Sequence, residues 1–229
     1  MDQFIFPNCN RYFKKDYDNL RHKFPGAENI ENNYSQAFQD MFVLSMLDGK
    51  RNGTYVEIGG YHPVVINNSY LLESEFGWRG VSFEIIQSAV DFYNDFRKSP
   101  CLCEDATTVD YAEIFEENDL PLQIDYLQVD IEPAEQTLRA LKNIPFDQYR
   151  FSVITYETDM YRDGPDCQEE AMRFLQDLGY ELVVRNVANE GNPYEDWYVD
   201  PNVVDPKIIA KFKQIGRLSK ESNTCVLNV

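Results

Sequence analysis

The sequence has no long apolar run. Its 229 residues contain no stretch of about 18 apolar side chains, which a membrane-spanning helix would need. The first residues, Met1 to Phe4, also lack the basic and then apolar pattern of a secretory signal. We therefore expect no membrane span and a cytoplasmic location.

Cysteine is scarce. There are five cysteines, and only Cys101 and Cys103 lie close together. Their spacing is not the C-x-x-C of redox and zinc sites. This pattern predicts reduced thiols of an intracellular protein and no zinc site.

Basic residues are also few. The chain has 21 Lys and Arg against 39 Asp and Glu, a formal net charge of −18 and a pI of about 4.4. Such a surface repels a free polyanion, so we expect no nucleic-acid partner. The one basic patch, Lys14-Lys15 with residues 21–23, is interpreted as the solvated face of an N-terminal helix.

An apolar stretch closed by two glycines stands out against these absences. Residues 54–58 are β-branched or aromatic apart from Glu57, and Gly59-Gly60 follows. This pattern indicates a buried parallel strand that leads into a ligand-binding loop. A carboxylate at Glu57 is costly to bury unless a cation or hydrogen-bond donors pair with it.

Strands and helices alternate along the rest of the chain. This predicts one α/β domain with a doubly wound, mostly parallel sheet of about seven strands, one of them antiparallel, flanked by helices. We expect an N-terminal arm at 1–33, the domain at 34–200, and a C-terminal helix and tail at 201–229. The first domain helix is predicted to begin with Ser35 as its N-cap.

Acidic residues recur inside or just after the predicted strands. Ligands of doubly wound sheets bind at the carboxyl ends of the strands, so these acids are expected to meet at one edge. They are Glu57, Glu84, Asp105, Asp130, Glu132, Glu157 and Asp159.

The glycine loop lacks the patterns of dinucleotide and ATP sites, which disfavours redox or phosphate chemistry. S-adenosylmethionine fits better: Glu84 would accept from the ribose diol and Asp105 from the adenine amino group. An acidic pocket also favours its cationic sulfonium.

Several segments carry a resemblance to a known family. They are residues 35–40, 60–69, 77–80 with Phe83-Glu84, 125–132 and 154–157. Over roughly residues 34–185 the chain resembles the FkbM-like family of S-adenosylmethionine-dependent methyltransferases. The resemblance implies a Rossmann-like class I fold and methylation of hydroxyls, often on sugars or glycans. The cofactor-binding residues expected on this basis are Gln39, Glu57, Gly59, Gly60, Tyr61, Asn68, Ser69, Glu84, Ile85, Asp105, Ala106 and Asp130.

The chain departs from the family pattern at four places. His62 replaces a common Asp, Ile85-Ile86 a Pro-Asn, and Pro133 a Gly. A Glu-His pair often ends the fifth strand, whereas this chain has Glu157, Thr158 and Asp159. Asp159 is therefore a candidate for the role of that histidine.

Methyl transfer to a hydroxyl needs alignment and removal of a proton. The candidate catalytic residues are Asp130, His62 and Glu157, with His62 or Asp130 as the base. Alternatively Asp130, Glu157 and Asp159 hold Mg²⁺ or another divalent cation, which prefers oxygen ligands.

The acceptor is expected to be a small molecule or glycan. Aromatic residues that could line its site are Tyr61, Tyr156, Tyr161, Trp197 and Tyr198. Two alternatives stay open: a scaffold protein that has lost turnover, and a methyltransferase for a non-sugar acceptor. The sequence leaves a monomer and a homodimer equally open.

Overall fold

The computed structural model describes residues 14–189 and 191–213. The part of the predicted arm before residue 14, Glu190, and the tail after residue 213 lie outside the described residues. Two 3₁₀ helices, Lys14–Asn19 and Ala27–Asn29, precede the domain. The strands are β1 Thr54–Ile58, β2 Arg79–Glu84, β3 Cys101–Cys103, β4 Gln123–Val129, β5 Arg150–Glu157, β6 Glu181–Asn189 and β7 Asn192–Val199. The helices are α1 Gln39–Met46, α2 Tyr70–Phe76, α3 Gln87–Phe96, α4 Tyr111–Glu117, α5 Ala134–Asn143, α6 Met160–Asp163, α7 Asp166–Asp177 and α8 Pro206–Lys213.

The seven strands form one sheet in the order β3-β2-β1-β4-β5-β7-β6. Strands β1 to β5 are parallel, and β7 runs antiparallel to both β5 and β6. The predicted doubly wound sheet is confirmed. The order reverses between β1 and β4, which is where ligands bind in such sheets.

A separate apolar core covers each face of the sheet. Side chains alternate along a strand, so Tyr55 of β1 and Trp197 of β7 join the core beneath α1, α2 and α8. Val56 and Tyr156 join the opposite core, beneath α4, α5 and α7. The alternation also brings Glu57 onto the face that carries α1 and α2.

The start of α1 differs from the sequence prediction. The helix begins at Gln39, and Ser35 is not its N-cap. Asp40 instead accepts the backbone N–H groups of Tyr34 and Ser35, at 2.7 and 3.1 Å. Phe38 adopts a left-handed φ of 71°, so the chain turns before the helix starts.

The antiparallel end of the sheet is longer than predicted. The apolar and aromatic runs at 180–185 and 195–199 predict two strands, whereas β6 extends to Asn189 and β7 begins at Asn192. Cross-strand pairing carries polar residues such as Asn189 and Asn192 into the ladder. The short α6 was not predicted, because four residues present no hydrophobic period.

Candidate active site

The glycine loop lies between the ends of β2 and β4. Gly59 has a φ of 93°, which favours glycine, and its N–H and that of Gly60 both donate to the Phe83 carbonyl. A Cβ added at Gly59 would lie 1.8 Å from the Asp130 carbonyl oxygen. Glycine is therefore required for the loop to approach the end of β4.

Glu57 supports this loop from below. Its carboxylate accepts hydrogen bonds from the hydroxyls of Ser69, Ser82 and Tyr93, each at 2.8 Å. The sequence predicted a cation or ligand donors as its partners, whereas protein hydroxyls fill that role. Glu57 is 1% exposed, so we interpret it as a support of the loop.

Arg97 completes the support, and the sequence analysis missed it. Its buried guanidinium donates to the Pro63 carbonyl, the Asn67 side chain and the Ser69 hydroxyl, each at 3.0 Å. It also forms an ion pair with Glu73 at 3.1 Å. An arginine that follows a helix gives no local signal, since its partners come from other segments.

Glu84 lies at the carboxyl end of β2, next to the glycine loop. Its carboxylate accepts the backbone N–H groups of Tyr61, Ile85 and Ile86 at 3.2, 2.8 and 2.9 Å. Tyr61 and Ile85 are 66% and 68% exposed, so they offer apolar surface on either side of this carboxylate. Each carboxylate oxygen can accept more than one hydrogen bond.

Asp105 follows β3, next to β2. Its Oδ1 accepts from the hydroxyl and the N–H of Thr107, and these hydrogen bonds lower the pKa of Asp105. Asp105 is therefore an exposed carboxylate on the same edge as Glu84. Ala106 is buried, and its carbonyl accepts the Tyr111 hydroxyl.

His62 is part of the loop structure. Its Nδ1 accepts the N–H groups of Val64 and Val65 at 3.1 and 2.9 Å, and its ring packs edge-on against Phe92. Burial lowers the pKa of His62. A neutral ring with Nδ1 as acceptor carries its proton on Nε2, which favours a supporting role over that of a base.

Asn68 and Ser69 connect the loop to α2. Asn67 caps that helix by accepting the N–H groups of Ser69 and Tyr70. Asn68 is 3% exposed, and its Oδ1 has no hydrogen-bond partner among the described residues. A buried acceptor without a donor is unusual and is consistent with a ligand group at this place.

Three carboxyls form a row across the sheet: Asp130 directly after β4, Glu157 at the end of β5 and Glu195 within β7. Val129 pairs with Tyr156, so Asp130 comes opposite Glu157, which itself pairs with Glu195. Glu157 donates a hydrogen bond to Asp130, and burial is the largest cause that raises the pKa of both. Two buried carboxyls this close cannot both ionise readily, so the pair favours holding one shared proton.

Glu195 was missed by the sequence analysis, although it shares a strand face with Trp197. It is fully buried and accepts from Gln39 Nε2 at 2.9 Å and from the Trp197 indole at 2.6 Å. Burial raises its pKa to about 8. The predicted cofactor residue Gln39 thus contacts this row, and its other bonds go to Ala37 and Tyr194.

Asp159, the third predicted metal ligand, is bound by Arg162. Arg162 also pairs with Glu132 at 2.9 Å and with Asp163 at 3.3 Å. In the parts of the chain that the structure describes, no group of three or more His, Cys, Asp or Glu is arranged to hold a metal ion.

Three of the five aromatic candidates are in the core. Tyr156, Trp197 and Tyr198 are fully buried, so their predicted role as acceptor surfaces is wrong. Strand alternation in a two-sided sheet explains their burial. Tyr61 and Tyr161 are exposed, Tyr161 by 52%.

Comparison with known proteins adds the family. A family profile described as "Methyltransferase FkbM domain" matches residues 12–182. The chain belongs to the FkbM methyltransferases. No curated protein matches the sequence.

Two solved structures are similar to this FkbM domain. A candidate rRNA methylase from Clostridium thermocellum has a TM-score of 0.50 and 14% identity, with 73% of this chain and 96% of that chain covered. The N-methyltransferase NodS from Bradyrhizobium japonicum WM9 has a TM-score of 0.46 and 11% identity, with 71% and 94% covered. None of the described helices of the FkbM domain has the length and hydropathy to cross a membrane.

Proposed function

We propose that the protein transfers a methyl group from S-adenosylmethionine to a hydroxyl of a sugar or glycan, with Asp130 as the base. The family supplies the class of cofactor and reaction. The choice of a hydroxyl acceptor and of Asp130 as the base rests on the hydrogen-bonded pair of Asp130 and Glu157 beside the glycine loop.

The glycine loop and the β2 edge suit the cofactor. Gly59 lets the loop pass close to the end of β4, and three backbone N–H groups orient the half-buried Glu84 at the edge of the sheet. Glu84 would accept from the ribose diol and Asp105 from the adenine amino group, with apolar contacts from Tyr61 and Ile85. When bound, S-adenosylmethionine supplies an electrophilic methyl group.

Asp130 would take the proton from the acceptor hydroxyl. Burial raises the pKa of its carboxyl, and a base is most effective when its pKa lies near the working pH. Glu157 holds it in place through the shared hydrogen bond. We favour this pair over a Mg²⁺ site, since Asp159 is already paired with Arg162.

The first test is calorimetry with S-adenosylhomocysteine, with Mg²⁺ or EDTA present, followed by transfer of labelled methyl groups to a panel of sugars. Asp130→Asn is expected to lower kcat by about 10²–10⁴-fold, and the calorimetry separates this loss from any effect on cofactor binding. Asp177→Asn, on the exposed end of α7, serves as the charge-matched control.

The outcomes distinguish the proposed function from its alternatives. Full turnover of Asp130→Asn would exclude this carboxylate as the base. Tight cofactor binding without transfer to any acceptor would favour a scaffold protein, and transfer only to non-sugar acceptors would replace the substrate class. A requirement for Mg²⁺ would return Asp130 and Glu157 to a metal site.

A further inference from the structure

The segment that follows β5 is built as a fixed surface beside the candidate base. Helix α6 begins three residues after Glu157, which is hydrogen-bonded to Asp130. The N–H groups of Thr158 and Asp159 both donate to the Tyr194 carbonyl on β7, at 2.6 and 3.2 Å. These bonds hold the entry to α6 against the sheet.

Arg162 fastens the other side of α6. Its guanidinium joins Asp159, Asp163 and Glu132, which follow β5 and β4. Asp163 in turn accepts the N–H of Ala134, the first residue of α5, at 3.1 Å. A four-residue helix has few internal hydrogen bonds, so its position depends on these contacts.

Tyr161 projects from this fixed segment into solvent. Its side chain is 52% exposed, although large aromatic side chains are mostly buried. Partial burial and then the nearby carboxylate of Asp159 raise the pKa of its phenol, with a smaller effect of Glu157. Tyr161 follows Glu157, the hydrogen-bonded partner of the candidate base, by four residues, and the contacts of Thr158, Asp159 and Asp163 hold its helix against β7 and the start of α5.

The charges around Tyr161 are mainly negative. Five acids lie in or near the segments that follow β4 and β5: Asp130, Glu132, Glu157, Asp159 and Asp163. Arg162 pairs with three of them, Glu132, Asp159 and Asp163. Such a surface favours neutral ligands over anionic ones, since like charges repel. An exposed aromatic face beside hydrogen-bonding carboxylates suits the mixed apolar and polar faces of a sugar ring.

We propose that α6 is the acceptor platform, where the ring of Tyr161 packs against an uncharged sugar and Arg162 acts as the positioning residue. This inference rests on the proposed function, and it narrows the acceptor to sugars without a carboxylate or phosphate. Arg162 keeps Tyr161 in place beside Asp130, and Tyr161 makes the contact with the sugar.

The test is saturation-transfer NMR of the full chain, loaded with S-adenosylhomocysteine, against methyl glycosides of glucose, galactose and fucose. Methyl β-D-glucuronide is the matched anionic probe for the glucoside. We expect saturation to be transferred from the protein to ring protons of at least one neutral glycoside. The signal of the glucuronide should be several-fold weaker. Absence of transfer to all three neutral sugars, or an equal or stronger glucuronide signal, would overturn the proposal.

Variants distinguish the role of Tyr161 in contacting the sugar from the role of Arg162 in positioning Tyr161. Tyr161→Ala should abolish the sugar signal, while Tyr161→Phe should keep it, because the ring face and not the hydroxyl makes the contact. Arg162→Gln should weaken the signal and increase hydrogen exchange of amides 159–163, with partial rescue by Arg162→Lys. Undiminished sugar binding by Tyr161→Ala would contradict the platform.

Cofactor calorimetry makes this failure distinguishable from failure of the proposed function. All four variants should bind S-adenosylhomocysteine like the wild type, since α6 lies two strands from the glycine loop in the order β1-β4-β5. Normal cofactor binding without a role for Tyr161 rejects only the platform. If the wild type does not bind S-adenosylhomocysteine, the proposed function itself is rejected.

Discussion

At the scale of single residues, Glu84 gives the sharpest test of the cofactor assignment. Three backbone N–H groups orient its carboxylate without using all of its acceptor capacity. Hydrogen bonds to a charged group contribute about 1.5–3 kcal/mol, so Glu84→Ala should weaken S-adenosylhomocysteine binding by roughly tenfold to a hundredfold. Isothermal titration calorimetry measures this directly.

Glu117→Ala is the control for Glu84→Ala, because it removes one exposed carboxylate at the end of α4, away from the candidate site. It should bind the cofactor like the wild type. If Glu84→Ala also retained wild-type affinity, the ribose would have to bind elsewhere.

Glu195 predicts a pH dependence of stability. Its pKa rises from 4.5 to about 8 on folding because the carboxyl is buried. Below pH 4.5 the group is protonated in both states; between 4.5 and 8 only the folded state keeps the proton. Stability therefore falls as pH rises through this window, and the full cost is present above pH 8.

Glu195→Gln should remove that cost because it keeps the shape and stays neutral. The stability of the variant relative to the wild type should rise between pH 5 and pH 9, by up to about 5 kcal/mol, in urea unfolding. Glu116→Gln, on the exposed face of α4, should show no such change. A constant difference across pH would show that Glu195 is ionised throughout.

At the scale of elements, Arg97 joins the end of α3 to the glycine loop and to α2. Removal of one partner of a buried ion pair costs about 3–5 kcal/mol, because the other charge stays buried. Arg97→Ala should therefore lower the free energy of unfolding by that amount, as measured with urea. It should also weaken cofactor binding, since Asn67 and Ser69 lose a shared donor.

Arg79→Ala provides the comparison, because Arg79 is exposed and donates to two backbone carbonyls, those of Asn118 and Asp119. Its loss should cost about 1 kcal/mol or less. Equal costs for the two variants would mean that the Arg97 contacts do not stabilise the loop.

Much of the sheet could be predicted, because buried parallel strands are short apolar runs between turn signals. The residues of β1 and β3 were predicted as they occur. The start of α1 was not, since Ser35 has the chemistry of an N-cap but its hydroxyl donates to Asp40, which also accepts the N–H groups of Tyr34 and Ser35. Choices of this kind depend on tertiary packing, which a local pattern does not contain.

The candidate site could likewise be predicted only in part. The positions of Glu84, Asp130 and Glu157 at strand ends followed from the alternation of strands and helices. Their partners did not, because the pairing of Glu157 with Glu195 depends on the register of an antiparallel strand. The contacts of Arg162 likewise join loops that are distant in sequence.

At the scale of the whole molecule, the net charge of −18 bears on the class of acceptor. Nucleic-acid binding depends on phosphate neutralisation by Lys and Arg. Two lysines of the one basic patch predicted from the sequence form ion pairs: Lys14 pairs with Glu31 at 3.1 Å and Lys23 with Asp18 at 3.0 Å. Arg21 donates to the Lys211 carbonyl.

The protein should therefore not bind a short single-stranded RNA, even at low salt, where electrostatic attraction is strongest. Fluorescence anisotropy of a labelled RNA measures this, and a basic RNA-binding domain serves as the positive control. Neutralising Glu31 and Asp18 by Glu31→Gln and Asp18→Asn would free the two lysines. If weak binding then developed and declined with salt, these ion pairs would be what masks the patch. Salt-sensitive binding by the wild type would instead reveal a cationic surface outside the described residues, and RNA would become an acceptor to test.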